Sequence, residues 1–328
     1  MADPPAVSIL LTSYQQADFV VEALDSVLAQ EWTDWELFVL DDGSTDGSAA
    51  LIEAWAGARA DPRVHLVLRE RNIGFLASLN DGRTRCRGRW LAYLGADDRW
   101  APGYLGAMVA ALSDDPEALV AYCDVRHIDG DGRVEAESGF EACGEVPGPS
   151  GEVFEDLLRR NFVVASAAVS RRAAVEAVGG WDPGLPFEDW DLWLRLAERG
   201  RFVLVPGVLA DYRRHDRSMS IRLFSVMLAG RMAVLEKWLG RQAAHDEIIL
   251  PYLRRQSWRL FKVHPDRGRP HVATAYAADR SAVGRLRHLV ATRPAAESAF
   301  EVLRRSTRGL RRAVRDRGLR VDRAAAYR

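Results

Sequence analysis

The feature that most constrains this chain is a regular alternation. Short β-branched runs stopped by polar residues are each followed by a stretch with apolar residues at helical spacing. Val7-Ser-Ile-Leu-Leu-Thr12, ended by Ser13, comes first. A short apolar run of this kind suits a parallel strand buried on both faces. From Phe19 to Ala29, residues Val20, Ala23, Leu24, Val27 and Leu28 fall on one helical face. Strands are then expected at Glu36–Leu40, Val64–Leu68, Trp90–Leu94 and Ala118–Val125, with helices at Asp46–Ala58, Gly74–Arg83 and Tyr104–Leu112 between them. Asp46 is placed to cap its helix. The alternation predicts an α/β fold, a mostly parallel sheet with helices on both faces.

Ligands of such sheets bind outside the carboxyl ends of the strands. Polar clusters fall there: Thr12-Ser-Tyr14 after the first strand, Asp41-Asp42 after the second and Gly95-Ala-Asp-Asp98 after the fourth. Residues 126–150 read as a hairpin and loop. Glu152–Arg160, Arg171–Val178 and Glu188–Arg199 read as helices, and Phe202–Val205 and Val208–Tyr212 as strands. From about Ser218 onward the pattern is helical.

The formal net charge of −1 hides an asymmetry: residues 1–220 carry 21 Lys/Arg against 37 Asp/Glu, whereas residues 221–328 carry 24 against 9. The split predicts an acidic α/β domain over 1–218 and a helical, arginine-rich region over 219–328. No apolar run reaches the roughly 18 residues needed to span a bilayer, and no secretory signal is visible at the N-terminus. Cys86, Cys123 and Cys143 form neither a disulfide framework nor a zinc motif, so a cytoplasmic setting is expected. Gly-rich Rossmann, Walker and Gly-x-Ser-x-Gly signatures are missing.

Four groups carry candidate chemistry. Asp97-Asp98 suits a hard cation such as Mg²⁺ or Mn²⁺ shared with substrate phosphates; the competing reading is acidic capping of the following helix. Asp41-Asp42-Gly43-Ser44 can accept from a nucleobase or ribose, or can be a turn and no more. Phe187-Glu-Asp-Trp-Asp-Leu-Trp193 places Glu188 and Asp189 beside large rings, a setting for a tuned general base or for an ordinary amphipathic helix. In Tyr212-Arg-Arg-His215 the imidazole can bind a metal and the arginines can grip a diphosphate, although a lone histidine is usually not a ligand.

As an ordered set these motifs resemble the family 2 glycosyltransferases, over roughly residues 5–218. Val7–Tyr14 resembles the family's opening strand and Asp41-Asp-Gly-Ser-Thr-Asp-Gly47 its nucleotide-binding turn. Asn72-Ile-Gly74 and Ser78-Leu-Asn80 resemble its third loop and following helix, and Gly95-Ala-Asp-Asp98 its acidic motif. Gly179-Gly-Trp-Asp182, Glu188–Trp193 and Tyr212–His215 follow in the family's order. The resemblance implies a GT-A fold and inverting transfer from a nucleoside-diphosphate sugar, a UDP-sugar foremost, to a glycan, lipid or small-molecule acceptor. It implies that Thr12, Tyr14, Asp42, Asn72 and Asp97 bind the nucleotide-sugar. Asp98 and His215 would hold Mg²⁺ or Mn²⁺, and Asp189, with Glu188 beside it, would act as the base. One departure stands out: many members carry an acid where Gly95 stands.

Two other readings share this pattern. A catalytically silent sugar-nucleotide-binding scaffold would keep the fold, but the intact acid pairs count against it. A sugar-phosphate nucleotidyltransferase would need a Gly-rich loop where Ser13-Tyr-Gln-Gln16 stands. In the C-terminal region, Trp238, Tyr252, Trp258 and Phe261 are expected to build a small core. Phe300, Leu303, Leu310 and Val314 mark a basic amphipathic helix, suited to folding back on the acidic domain or to peripheral contact with an anionic membrane at its inner face. No module for nucleic-acid binding is recognised.

Overall fold

The computed structural model describes residues 4–142, 148–187, 189–218, 223–277, 279 and 282–292. Its strands are β1 (Val7–Ser13), β2 (Trp35–Asp41), β3 (Val64–Leu68), β4 (Trp90–Gly95), β5 (Arg99–Trp100), β6 (Ala118–Ile128), β7 (Val134–Ala136), β8 (Ala168–Arg171) and β9 (Arg201–Arg213). The helices of the same part are α1 (Val20–Leu28), α2 (Ser48–Arg59), α3 (Phe75–Arg83), α4 (Tyr104–Asp114), α5 (Gly139–Ala142), α6 (Phe154–Arg159), α7 (Arg172–Ala177) and α8 (Asp189–Ala197).

Among the described residues these strands form one sheet in the order β3-β2-β1-β4-β8-β6-β9-β5, with β7 on β6. The pairs β3–β2, β2–β1, β1–β4 and β6–β9 are parallel, and β8 runs antiparallel to both β4 and β6. This is the α/β architecture that the alternation pointed to, of the GT-A type that the resemblance implied. β1 is buried on both faces, which is why its sequence is apolar without alternation. Val7, Ile9 and Leu11 enter a core with Val20, Leu24, Val27, Trp35, Val39 and Leu94. The chain builds β1 to β3 outward on one side, then returns to place β4 on the other side of β1. That reversal opens a crevice at the carboxyl ends of β2, β1 and β4.

Two local expectations are corrected. α2 starts at Ser48, not Asp46, because Gly47 lies at φ +97°; Asp46 instead accepts from the Ser48 amide (3.0 Å) and the Ala17 amide (3.0 Å). The two strands expected after Phe202 are one strand, β9, whose register against β6 shifts near Asp124. Cys86 and Cys123 are buried free thiols, and burial pushes both up to about 12; Cys143 lies outside the described residues.

The chain divides into two compact units, Met1–Arg222 and Leu223–Arg328. The second contains α9 (Phe224–Glu236), α10 (Ala243–Val263), α11 (Pro265–Tyr276) and α12 (Ala282–Thr292). Leu228, Met232, Trp238, Ile249, Leu253, Phe261 and Tyr276 are buried in it, and Trp258 stacks on Phe261 at 5.5 Å. No described helix is long and apolar enough to cross a membrane. Phe300, Leu303, Leu310 and Val314 lie outside the described residues.

Candidate active site

The acids of the β2 turn are buried and bound within the protein. Asp41 accepts from Ser13 Oγ (2.9 Å), the Ser44 amide (2.9 Å) and Ser44 Oγ (2.7 Å). Asp42, 4% exposed, accepts from the amides of Ile73 (3.1 Å) and Gly74 (3.0 Å) and from Ser78 Oγ (3.1 Å). Asn72 is exposed, and its Oδ1 also accepts from the Gly74 amide at 2.8 Å. Asp42 therefore shapes the third loop and the start of α3.

Gly43 makes this turn feasible. Its φ is +77°, and a Cβ there would stand 2.6 Å from the Arg71 carbonyl carbon and 2.8 Å from the Asn72 nitrogen. Both obstacles are backbone, so they cannot swing aside. Gly43→Ala is expected to cost about 2–4 kcal/mol of stability through left-handed strain and this overlap. Urea denaturation of the full chain measures it; a loss under about 0.5 kcal/mol, the scale of an ordinary surface change, would contradict the account.

The β1 and β4 ends meet at Tyr93. Its hydroxyl is 3.2 Å from Thr12 Oγ1, and its ring lies edge-on to Phe75 at 6.0 Å. Tyr14 is 48% exposed, leaving a large ring at the mouth of the crevice. Beyond β4, Asp98 is 5% exposed and accepts from Ser166 Oγ and, at 2.9 Å, from the Arg213 amide. Burial and the neighbouring Asp97 charge push the Asp98 carboxyl well above the ordinary carboxylate range. Asp97 is more open, and its Oδ2 lies 3.2 Å from His215 Nε2. Neither acid caps α4, whose N-cap is Gly103.

The His215 side chain is 7% exposed, its ring packs on Phe19 at 4.6 Å, and its Nδ1 has no hydrogen-bond partner. A ring bound through one nitrogen is not locked into one tautomer. Its Nε2 can give Asp97 a proton or give a lone pair to a cation held by Asp97. Asp97 and His215 thus place a hard oxygen donor beside an imidazole, with Asp98 next in the chain. Among the described residues no three His, Cys, Asp or Glu are grouped so as to hold a metal ion. A cation here would be held by Asp97 and His215 and would take its other positions from phosphate oxygens and water.

Gly95 is accounted for by the same turn: a Cβ there would stand 2.8 Å from Asp97 Oδ1 and 3.4 Å from Asp98 Oδ2. The Asp97 carboxylate occupies the space that a side chain at 95 would take. Arg213, 2% exposed, is not a free phosphate grip. Its Nε donates to the Asp97 carbonyl oxygen (2.8 Å), and it pairs with Glu22 on α1.

Asp189 opens α8. Its Oδ2 accepts from Asn161 Nδ2 at 2.7 Å and its Oδ1 from the Trp190 amide at 2.6 Å. It lines a cavity with Tyr93, Ala165, Trp181, Leu192 and Trp193. Tyr93 and the Ala165-Ser166 turn thus link the Asp189 cavity to Thr12 and to Asp98. Asp191 is structural: 2% exposed, it pairs with Arg195 at 2.8 Å, and Arg195 also donates to the Val178 and Gly180 carbonyls. Glu188 lies outside the described residues. Asn80 bonds both the amide and the carbonyl of Trp181, at 3.1 and 2.8 Å, which ties the Gly179–Asp182 turn to α3.

Sequence reasoning missed Tyr93, Asn161 and Ser166. The last two carried a usable signal: each is a polar residue in the apolar stretch 161–169, and a polar group in a buried segment needs a partner.

Residues 8–179, more than half of the sequence, match the Glycosyl transferase family 2. The chain belongs to that family. Relatives include an uncharacterized protein of Mycobacterium tuberculosis, 34% identical over 212 residues (64% of this chain, 59% of that one). The succinoglycan biosynthesis protein ExoO of Rhizobium meliloti is 38% identical over 127 residues (38% of this chain, 35% of that one). This family 2 chain thus matches about three-fifths of the mycobacterial relative's length. Its fold is shared with the mannosyltransferase PcManGT of Pyrobaculum calidifontis, solved with GDP-Man and Mn²⁺ (TM-score 0.60, 20% identity, 93% of this chain and 84% of that one). It is shared also with S. aureus TarS 1-349, solved with UDP-GlcNAc (TM-score 0.59, 15% identity, 87% and 79%).

Proposed function

We propose that this chain is an inverting glycosyltransferase that moves a sugar from a nucleoside-diphosphate donor to an acceptor hydroxyl. The observation carrying the reading is that motif residues far apart in sequence are joined to one another or to their loops by hydrogen bonds. Asp42 holds the third loop, Asp97 meets His215, Asp98 meets Ser166 and Arg213, and Asp189 shares a cavity with Tyr93.

The nucleotide lies over the β1 and β2 ends. Tyr14 offers a ring face for the base, Thr12 a hydroxyl, and Asp42 and Asn72 their remaining oxygen lone pairs. Asp97 faces the ribose or sugar. Asp98 and His215 would hold Mg²⁺ or Mn²⁺, which would supply charge neutralisation for the departing diphosphate. Two adjacent carboxyls, one resisting ionisation because it is buried and sits beside the other, are what such a charge would relieve.

Asp189 takes the proton from the acceptor hydroxyl. The acceptor oxygen bonds to the anomeric carbon as that carbon's bond to the diphosphate breaks, and the bonding pair leaves on the diphosphate. One in-line displacement inverts the carbon. The donor is a UDP-sugar foremost, and the acceptor is a glycan, lipid or small molecule. The boundaries of the reading are an enzyme domain over 1–218 and a helical extension over 219–328 that works at the cytoplasmic side, with peripheral membrane contact as one role for its basic face.

A thermal-shift series with UDP, GDP, UDP-GlcNAc and GDP-mannose, with and without Mn²⁺, tests this. One nucleotide family should stabilise the chain by about 2.7 kcal/mol at a hundredfold excess over its Kd, and more with Mn²⁺ present. No shift with any of them would remove the donor site.

A further inference from the structure

We infer that Asn161 is the positioning residue of the acceptor-activating carboxylate. This rests on the reading of Asp189 as the general base. Asn161 stands in the extended segment between α6 and the turn at Ala165–Ala167, and its Nδ2 donates to Asp189 Oδ2 at 2.7 Å. Its Oδ1 faces the Val163 amide at 3.4 Å. That contact sets which way the amide points: flipped, it would put an oxygen against the carboxylate and an NH₂ against an N–H.

The frame behind this donor is rigid. The buried indole of Trp190 donates to the Leu157 carbonyl oxygen at 2.7 Å, and that of Trp193 to the Val163 carbonyl oxygen at 3.1 Å. Both come from α8 and bracket Asn161, so the segment is fastened to α8 without the amide. Asn161 is therefore free to serve the carboxylate and not the fold. A donor aimed at Oδ2 fixes the plane in which the carboxylate oxygens meet an acceptor. An amide does not accept the acceptor's proton in turn, so the proton stays on Asp189 while the sugar's bond to the diphosphate breaks.

Asn161→Leu removes the donor outright, and the near-isosteric Asn161→Asp replaces the amide with a second carboxyl facing Asp189. Nucleoside diphosphate release is measured from UDP-GlcNAc or GDP-mannose, whichever stabilises the chain, with water as acceptor, in the wild type, both variants, Asp189→Asn and the double variant. Each Asn161 variant should lower kcat about 10- to 100-fold with the donor KM unchanged. In the Asp189→Asn background it should lower the rate no further, which a purely structural role would not reproduce. If Asn161→Leu fails to fold, the near-isosteric Asn161→Asp carries the test. A slow Asp189→Asn enzyme beside Asn161 variants of normal rate overturns this inference alone. So do a change confined to KM and an additive loss in the double variant. An Asp189→Asn enzyme of normal rate, or a wild type with no release, removes the base reading and this inference together.

Discussion

Replacing Asp189 by Asn is expected to lower turnover by about 10²–10⁴, the range that general-base help supplies. Donor binding should survive. The substitution keeps the volume at the start of α8 and retains one carbonyl oxygen for either the Trp190 amide or Asn161 Nδ2. What it loses is the lone pair that takes the acceptor proton. The groups proposed to bind the nucleotide, Thr12, Tyr14 and Asp42, stand at the β1 and β2 ends, on elements separate from α8. The two readouts must therefore separate: stabilisation by donor and Mn²⁺ close to wild type, and initial rates of nucleoside diphosphate release collapsed. An enzyme keeping a third of the wild-type rate would place the base elsewhere.

Much of the architecture was legible because burial writes directly into composition. β1 has apolar neighbours on both faces, so Val7–Thr12 is apolar without alternation, and the helices that cover the sheet show one apolar face each. What escaped depends on pairing between distant residues. β5 is two residues, Arg99–Trp100, and is a strand only because it lies antiparallel to Asp211 and Ala210 of β9. β8 closes an apolar stretch, but nothing local says that it runs against both β4 and β6. The single β9 was read as two because Pro206-Gly207 looks like a break; Gly207 at φ +102° bends the strand and does not end it.

The candidate site divides along the same line. Acids at strand ends stand out because so many carboxylates in one sheet rim need a reason. Their partners do not, since Ser166 meets Asp98 across 68 residues and His215 meets Asp97 across 118. Ser78 and Asn80, which looked like parts of a helix motif, work at its two ends: one secures Asp42 and the other the Trp181 turn.

The second large effect belongs to Asp98. Removing its charge should abolish metal-stimulated transfer, with a loss of about 10²–10⁴ if the cation contributes several kcal/mol to the departing diphosphate. Asp98→Ala is a blunt instrument, because the carboxyl also receives the Ser166 hydroxyl and the Arg213 amide. Asp98→Asn is sharper. Its oxygen can still accept from the Arg213 amide, and its NH₂ can donate to Ser166 Oγ, since a hydroxyl also accepts. The turn between β4 and β5 then keeps its frame and loses only charge. If the raised pKa of Asp98 reflects a site built to be neutralised by a cation, Asp98→Asn will be as stable as the wild type or more so without metal. In that variant the extra stabilisation that Mn²⁺ gives the nucleotide complex will vanish. Unchanged Mn²⁺ stimulation in Asp98→Asn would instead move the cation onto Asp97 and His215 alone, and leave Asp98 as the buried post on which that pair is mounted.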